Sequence, residues 1–192
     1  TRFAELQAGN LDAAYVTQAT YVNNLSSGSV SGSVLVQKVS QGVTGIQLAA
    51  GPDSVGAFAD INVRKAFAHG IQIENMINGL GQGMYQVASS VLGADNWAYL
   101  DVGTYEYDPD AAKAALAEAG YSVDNPLTVT VVAESTAFYT SLMEAMQGDL
   151  AQIGINLDLS GMGDFATILP TLLSGTQEVG IGGPSNGAGN DP

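Results

Sequence analysis

Apolar residues in the second half of the chain follow two alternating spacings. Leu127 to Ala133 carries an apolar side chain at every other position, which predicts a strand with one buried face. Tyr139 to Ile153 has apolar residues at three- and four-residue spacings and ends at Gly154, which predicts an amphipathic helix. Ile155 to Leu159 then alternates again. A strand, a helix and a strand with short connections predict a βαβ unit, with parallel strands and a right-handed crossover.

Capping residues predict further helices. Asp108 and Pro109 suit the N-cap and first position of a helix, and Gly120 suits its left-handed end. Asp60 is a second candidate N-cap, and the apolar spacing after it predicts a helix that ends near Gly79. Two more elements are expected further along the chain, a helix over 164–174 and a strand over 179–181.

The first third of the chain has shorter and weaker patterns. They predict a helix over 2–11, strands over 11–16, 34–36 and 45–50, and a flexible Gly/Ser loop over 26–33. Residues 1–59 are therefore expected to form an entry helix and a small sheet, and residues 60–192 a helical segment followed by the βαβ unit. Together they predict a single α/β lobe, with no internal repeat.

The charge balance excludes several functions. Acidic residues number 19 and basic residues 5, for a formal net charge of -14. Nucleic-acid binding and adsorption to anionic lipid both need clustered Lys and Arg, so we expect neither. The chain has no cysteine, which excludes disulfides, thiolate zinc sites and cysteine nucleophiles. No run approaches the about 18 apolar residues of a membrane span, so no transmembrane segment is predicted in this chain.

Candidate catalytic chemistry is sparse. The single histidine, His69, lies within a predicted helix, where a surface or packing role is expected. Glu106, Asp108 and Asp110 are close in sequence, but Asp108 has a capping role and Asp110 suits the positive end of the helix dipole. We therefore predict no catalytic residue, no metal site and no cofactor. A glycosidase-like carboxylate pair stays open as the hydrolase alternative.

Two segments resemble a known family. The chain from Asp60 to Ile71 resembles the family 5 solute-binding proteins of ABC transporters, although Gln72 and Ile73 stand where that family usually has Asp-Arg. The match from Tyr107 to Tyr121 is more specific, because it follows the family's helix signature closely. Weaker likenesses lie at 5–12 and 146–155. The matching segments together span nearly the whole chain.

This resemblance implies a type II periplasmic-binding-protein-like fold, a mixed sheet with flanking helices. It implies that residues 1–192 are one C-terminal-type lobe, truncated at both ends, whose partners are the missing other lobe of the same protein and the ABC permease subunits. The implied ligand is a small solute or short peptide, enclosed between two lobes outside the cytoplasm, in the periplasm or on a cell-surface lipoprotein. The alternative is a cell-surface sensor or chaperone-like receptor that uses the fold without transport.

Ligands of open α/β sheets meet the loops beyond the carboxyl ends of the strands, here 134–136, 161–163 and 182–190. The candidate ligand-binding residues are Glu134, Ser135, Thr136, Ser185, Asn186 and Ala188. An ordinary loop role stays open for Glu134 and Asn186.

The last of these loops resembles the family's ligand loop, which carries a tryptophan and an acidic residue before Asp-Pro. Counting back from Asp191-Pro192, the acidic position falls on Ala188 and the tryptophan near Ser185 or Asn186, so both anchors are absent. No Lys or Arg follows Lys113. We therefore predict that this lobe prefers a neutral or cationic ligand.

Overall fold

Seven helices and four strands lie within the described part of the chain. The computed structural model describes residues 2–16, 19–28, 30–36, 43–50, 56–174 and 176–182. The helices are α1 (Arg2–Gln7), α2 (Ala19–Ser26), α3 (Ile61–His69), α4 (Ile73–Gly81), α5 (Pro109–Glu118), α6 (Ala137–Ala151) and α7 (Phe165–Ser174). The strands are β1 (Gly45–Leu48), β2 (Leu127–Val132), β3 (Ile155–Asp158) and β4 (Val179–Gly182).

The four strands form one mixed sheet in the order β1-β4-β2-β3. β2 and β3 are parallel, from Leu127 opposite Ile155 to Thr130 opposite Asp158, with α6 as the crossover. β4 is also parallel to β2, but through only two residue pairs, and β1 is antiparallel to β4. The predicted βαβ unit and the mixed sheet are confirmed.

One hydrophobic core joins the sheet to helices α3 to α6. Val129 and Val131 of β2 are fully buried, as the period of two predicts. Met143 and Met146 of α6 are fully buried against them in the same cluster. Each such side chain stabilises the fold by about 1.5–3 kcal/mol through removal from water.

Helix α5 has the predicted ends. Asp108 Oδ1 accepts hydrogen bonds from the backbone N–H groups of Asp110 at 3.1 Å and Ala111 at 2.9 Å. Pro109 occupies the first turn, and Gly120 has a φ of +88° just beyond the helix. These caps satisfy groups that the helix itself leaves unpaired, so the boundaries were readable from sequence.

The predicted helix from Asp60 to Gly79 is wrong in one respect, because it is two helices. Asp60 caps α3 as expected, accepting from the N–H of Asn62 at 2.8 Å. The chain then breaks at Gly70, where a Cβ would lie 2.6 Å from Ile153 Cδ1, and α4 begins at Ile73. The apolar spacing continues across the break, so periodicity alone did not reveal it.

The first third differs most from the prediction. Segments 11–16 and 34–36 are not strands, and the unpredicted helix α2 lies between them. Val34 and Val36 are 86% and 88% exposed, so their β-branched side chains find no sheet to pack against. Helix α1 ends at Gln7 rather than Leu11, and the loop predicted from Ser26 begins one residue later.

Candidate functional site

The carboxyl ends of β2 and β3 are tied together by hydrogen bonds. Glu134 and Gly163 form an isolated parallel bridge beyond the two strands. The Ser135 N–H donates to the Gly163 carbonyl at 3.0 Å, and the Gly163 N–H donates to the Ala133 carbonyl at 3.1 Å. The loops 134–136 and 161–163 therefore lie side by side, at the edge where α/β sheets bind ligands. We call this pair of loops the binding edge.

The loop after β3 is held rigidly against β2. Leu159–Gly161 forms a 3-10 turn. Strand β3 therefore ends at Asp158, one residue before the end predicted from the sequence. Asp158 Oδ1 accepts from the Ser160 N–H at 2.9 Å, and this hydrogen bond lowers the pKa of Asp158 below its ordinary value. A Cβ on Gly161 would lie 2.5 Å from the Val131 carbonyl oxygen, so this close approach requires glycine.

The other loop leads into α6 through a capping residue. Thr136 Oγ1 accepts from the Tyr139 N–H at 3.2 Å, and the Thr136 N–H donates to the Glu134 carbonyl at 2.9 Å. The hydroxyl of Thr136 thus has a structural role that the sequence prediction did not include. The side chains of Glu134 and Ser135 are exposed at the edge.

Aromatic rings gather at the start of α6. The Phe138 ring contacts two others. Its centroid lies 5.8 Å from that of Tyr139 and 4.7 Å from that of Tyr85. Tyr85 also packs over the end of α4, where a Cβ on Gly81 would lie 2.9 Å from Tyr85 Cδ2. We call Tyr85, Phe138 and Tyr139 the ring cluster. Sequence patterns missed it, because residues 84–107 lack periodicity and nothing local relates Tyr85 to α6.

The third predicted loop follows β4. Ser185, Asn186 and Ala188 lie outside the described residues, so their roles stay predictions. Upstream, Glu178 Oε2 accepts from the Thr130 N–H at 3.1 Å, and the Glu178 carbonyl accepts from the Ala49 N–H at 2.9 Å. This carboxylate therefore helps to hold β4 beside β2.

His69 has the predicted packing role. Its Nδ1 lies 2.9 Å from the carbonyl oxygen of Glu106, and its ring meets Tyr105 edge-on, with centroids 5.2 Å apart. The His69 carbonyl accepts from the Asp108 N–H at 2.9 Å. These contacts hold residues 105–108 against the end of α3.

An open pocket of about 380 Å³ lies between residues 71–75 and 104–107. The pocket is far from the binding edge. Gln72, which lines it, donates its backbone N–H to Asp149 at 2.9 Å, and Asp149 lies near the opposite end of α6. Helix α6 runs from the binding edge to that end.

No group of three or more His, Cys, Asp or Glu in the described ranges is arranged to hold a metal ion. No helix among those ranges is long and apolar enough to cross a membrane.

Comparison with known proteins identifies a family over the whole chain and relatives over parts of it. The model of the bacterial extracellular solute-binding proteins, family 5 (middle region), matches residues 1–192. A Brucella ovis protein, named as a candidate peptide-binding protein of an ABC transporter, is 35% identical over 106 residues, covering 54% of this chain and 20% of the relative. Heme-binding protein A of Haemophilus influenzae is 28% identical over 159 residues, covering 81% of this chain and 28% of the relative.

Solved structures share the fold. The periplasmic binding protein DppA of Helicobacter pylori, in complex with a peptide, superimposes with a TM-score of 0.80 at 23% identity, over 95% of this chain and 34% of that protein. NikA of Brucella suis, in complex with Fe(III)-EDTA, superimposes with a TM-score of 0.75 at 23% identity, over 97% of this chain and 40% of that protein. The chain thus spans well under half the length of these relatives.

Proposed function

Because this chain belongs to the bacterial extracellular solute-binding proteins of family 5, we propose that it forms one lobe of the solute-binding component of an ABC importer. The solute would be enclosed between this lobe and a second lobe of the same protein by hinge motion. The observation that carries the proposal is the binding edge, where two rigid loops meet at the carboxyl ends of parallel strands.

The rigidity of the binding edge supports a binding role. Hydrogen bonds between 133–135 and 163 hold the two loops together before any ligand arrives. A preformed wall lowers the ordering entropy that binding must overcome. We propose Glu134, Ser135 and Thr136 as the residues of this edge that approach the solute, with Ser185, Asn186 and Ala188 completing it from the last loop.

Charge narrows the class of solute. No Lys or Arg follows Lys113, whereas Glu134 lies on the binding edge itself. Upstream, Arg64 is engaged in the fold, since its Nη1 donates to the carbonyls of Phe58 at 2.7 Å and Ala59 at 3.0 Å. A carboxylate on the solute would find no Lys or Arg side chain after Lys113 with which to form an ion pair. We therefore propose a neutral or cationic solute, either a short peptide or another small molecule.

Location and partners follow from this role. We propose an extracytoplasmic protein, periplasmic or carried on a cell-surface lipoprotein, that delivers its solute to ABC permease subunits. A sensor or chaperone-like receptor with the same fold would need no importer. Permease and ATPase genes beside the gene for this protein favour import, and their absence favours the receptor.

The direct test is to identify the solute. The protein is purified at its full natural length under native conditions and denatured, and the released small molecules are identified by mass spectrometry. We expect one solute or a small related set, which rebinds in isothermal titration. Failure to find or rebind any solute, together with turnover of a substrate by the purified protein, would overturn the proposal.

A further inference from the structure

We propose that the ring cluster and Glu134 together recognise a cationic group on the solute, such as a guanidinium, an amidinium or a quaternary ammonium. This inference rests on the proposed solute-binding function and names the chemistry of that site. It assigns a binding role to Tyr85 and Phe138, which no sequence motif indicates.

Position is the first argument. Glu134 precedes the cap of α6 by two residues, and Phe138 and Tyr139 lie in the first turn of the same helix. Tyr85 reaches this turn from a distant part of the chain and packs 4.7 Å from Phe138, centroid to centroid. The three rings therefore adjoin the binding edge, and a solute held there would approach both the rings and the carboxylate.

Exposure is the second argument. Phe138 is partly buried and packs against the core, whereas Tyr85 is 41% exposed. The partly buried ring of Phe138 packs against Tyr85, while part of Tyr85 stays open to solvent. A supported aromatic surface attracts cations through its quadrupole, by about 0.5–2 kcal/mol depending on desolvation.

Electrostatics decide the sign of the ligand. The positive end of the α6 dipole lies at the same edge and favours an anion by about 0.3–1 kcal/mol. One of its amides, that of Tyr139, is already occupied by Thr136 Oγ1 at 3.2 Å. The full negative charge of Glu134 opposes this preference for an anion. No Lys or Arg after Lys113 adds a positive charge to the dipole. The full charge of the Glu134 carboxylate outweighs the about half charge at the start of α6, so the site favours a cation.

The experiment uses the full-length protein and defined probes. Isothermal titration compares tripeptides with a central arginine, citrulline or glutamate, together with benzamidinium and choline. We expect the arginine peptide or one of the two small cations to bind tightest. Tyr85→Leu and Glu134→Gln should each weaken that probe by about 3- to 30-fold. With the ends of all three peptides acetylated and amidated, Glu134→Gln should leave the affinity for the uncharged citrulline peptide unchanged.

Matched controls separate recognition from folding. Tyr105→Leu and Glu118→Gln remove the same groups from exposed positions outside the binding edge and should leave affinity unchanged. Tyr85→Phe keeps the ring and should bind normally, while the melting temperature of Tyr85→Leu checks its fold.

Three results would overturn the inference. They are tightest binding of the glutamate peptide, no binding of any cationic probe, or affinities of Tyr85→Leu and Glu134→Gln equal to the affinity of the natural protein. If a co-purified solute still binds in these cases, the solute-binding function stands and only the cation preference fails.

Discussion

Single glycines fix how closely the segments of this lobe approach one another. Gly154 ends the crossover from α6 to β3 with a φ of +100°, and a Cβ there would lie 2.4 Å from the backbone carbon of Ser122. Gly148, six residues earlier in α6, has nothing within 4 Å of its hypothetical Cβ. The backbone around Gly154 therefore leaves no room for a side chain, whereas Gly148 has room for one.

Exchange of each glycine for alanine tests this difference. Gly154→Ala should lower the free energy of unfolding by at least about 2 kcal/mol, because it adds backbone strain and a clash. Gly148→Ala should raise it by about 0.5–1 kcal/mol, because alanine is the better helix former. Urea denaturation measures both, and equal effects of the two changes would contradict the packing described at Gly154.

One carboxylate at the end of β3, Asp158, links stability to pH. The N–H of Ser160 lowers the pKa of Asp158, so the folded state favours the ionised form. The stability from this hydrogen bond is therefore present above the ordinary value of 3.8 and is lost as pH falls through the lowered pKa. Asp158→Asn should have a lower free energy of unfolding than the natural chain at pH 7. This difference should shrink as the pH falls below the ordinary aspartate pKa of 3.8. A difference that is constant in denaturation series from pH 7 to pH 2 would contradict this.

At the scale of elements, a side chain of one helix holds the start of another. Gln72, the N-cap residue of α4, makes no side-chain cap, and Asp149 of α6 holds it from outside the helix, with Oδ2 accepting from the Gln72 N–H at 2.9 Å. The Gln72 side chain adds a longer contact of 3.4 Å to Asp149 Oδ1. A carboxylate there also suits the positive end of the helix dipole.

Loss of this cap should loosen α4. Asp149→Ala should lower the free energy of unfolding by about 1–2 kcal/mol, within the range for removed N-caps. Glu144→Ala, at an exposed position of the same helix, should change it by less than about 0.5 kcal/mol. Thermal or urea unfolding measures both, and a negligible effect of Asp149→Ala would show that solvent replaces the cap.

At the scale of the whole molecule, the proposed function makes this chain one wall of a two-lobed cleft. It spans 34% of the DppA structure and 40% of the NikA structure that it resembles. A wall alone makes only part of the contacts to a solute, and partial contacts rarely overcome the entropy lost on association.

The chain expressed alone should therefore have no measurable affinity for the solute that co-purifies with the full-length protein. Isothermal titration of both proteins with that solute is the measurement, and circular dichroism of the isolated chain confirms that it is folded. A micromolar complex with the isolated chain would show that this lobe holds a complete site.

The parts that the sequence predicted depend on neighbouring residues. The caps of α5, the alternation in β2 and the helical spacing of α6 are local, so the βαβ unit and its binding edge were readable without a structure. The family resemblance depended on local motifs too, chiefly at 60–71 and 107–121. Weak patterns before residue 60 were misread, because a short apolar run becomes a strand only if a sheet is there to pair with it.

Tertiary structure decided the rest. The break between α3 and α4 arises where Gly70 packs on Ile153, and the ring cluster arises where Tyr85 meets Phe138. Each pair is separated by more than fifty positions along the chain. The sequence alone thus determined the family and the elements from α5 onward, since caps and periodicity act over a few residues. Packing determined which side chains meet, since only the folded chain brings distant residues into contact.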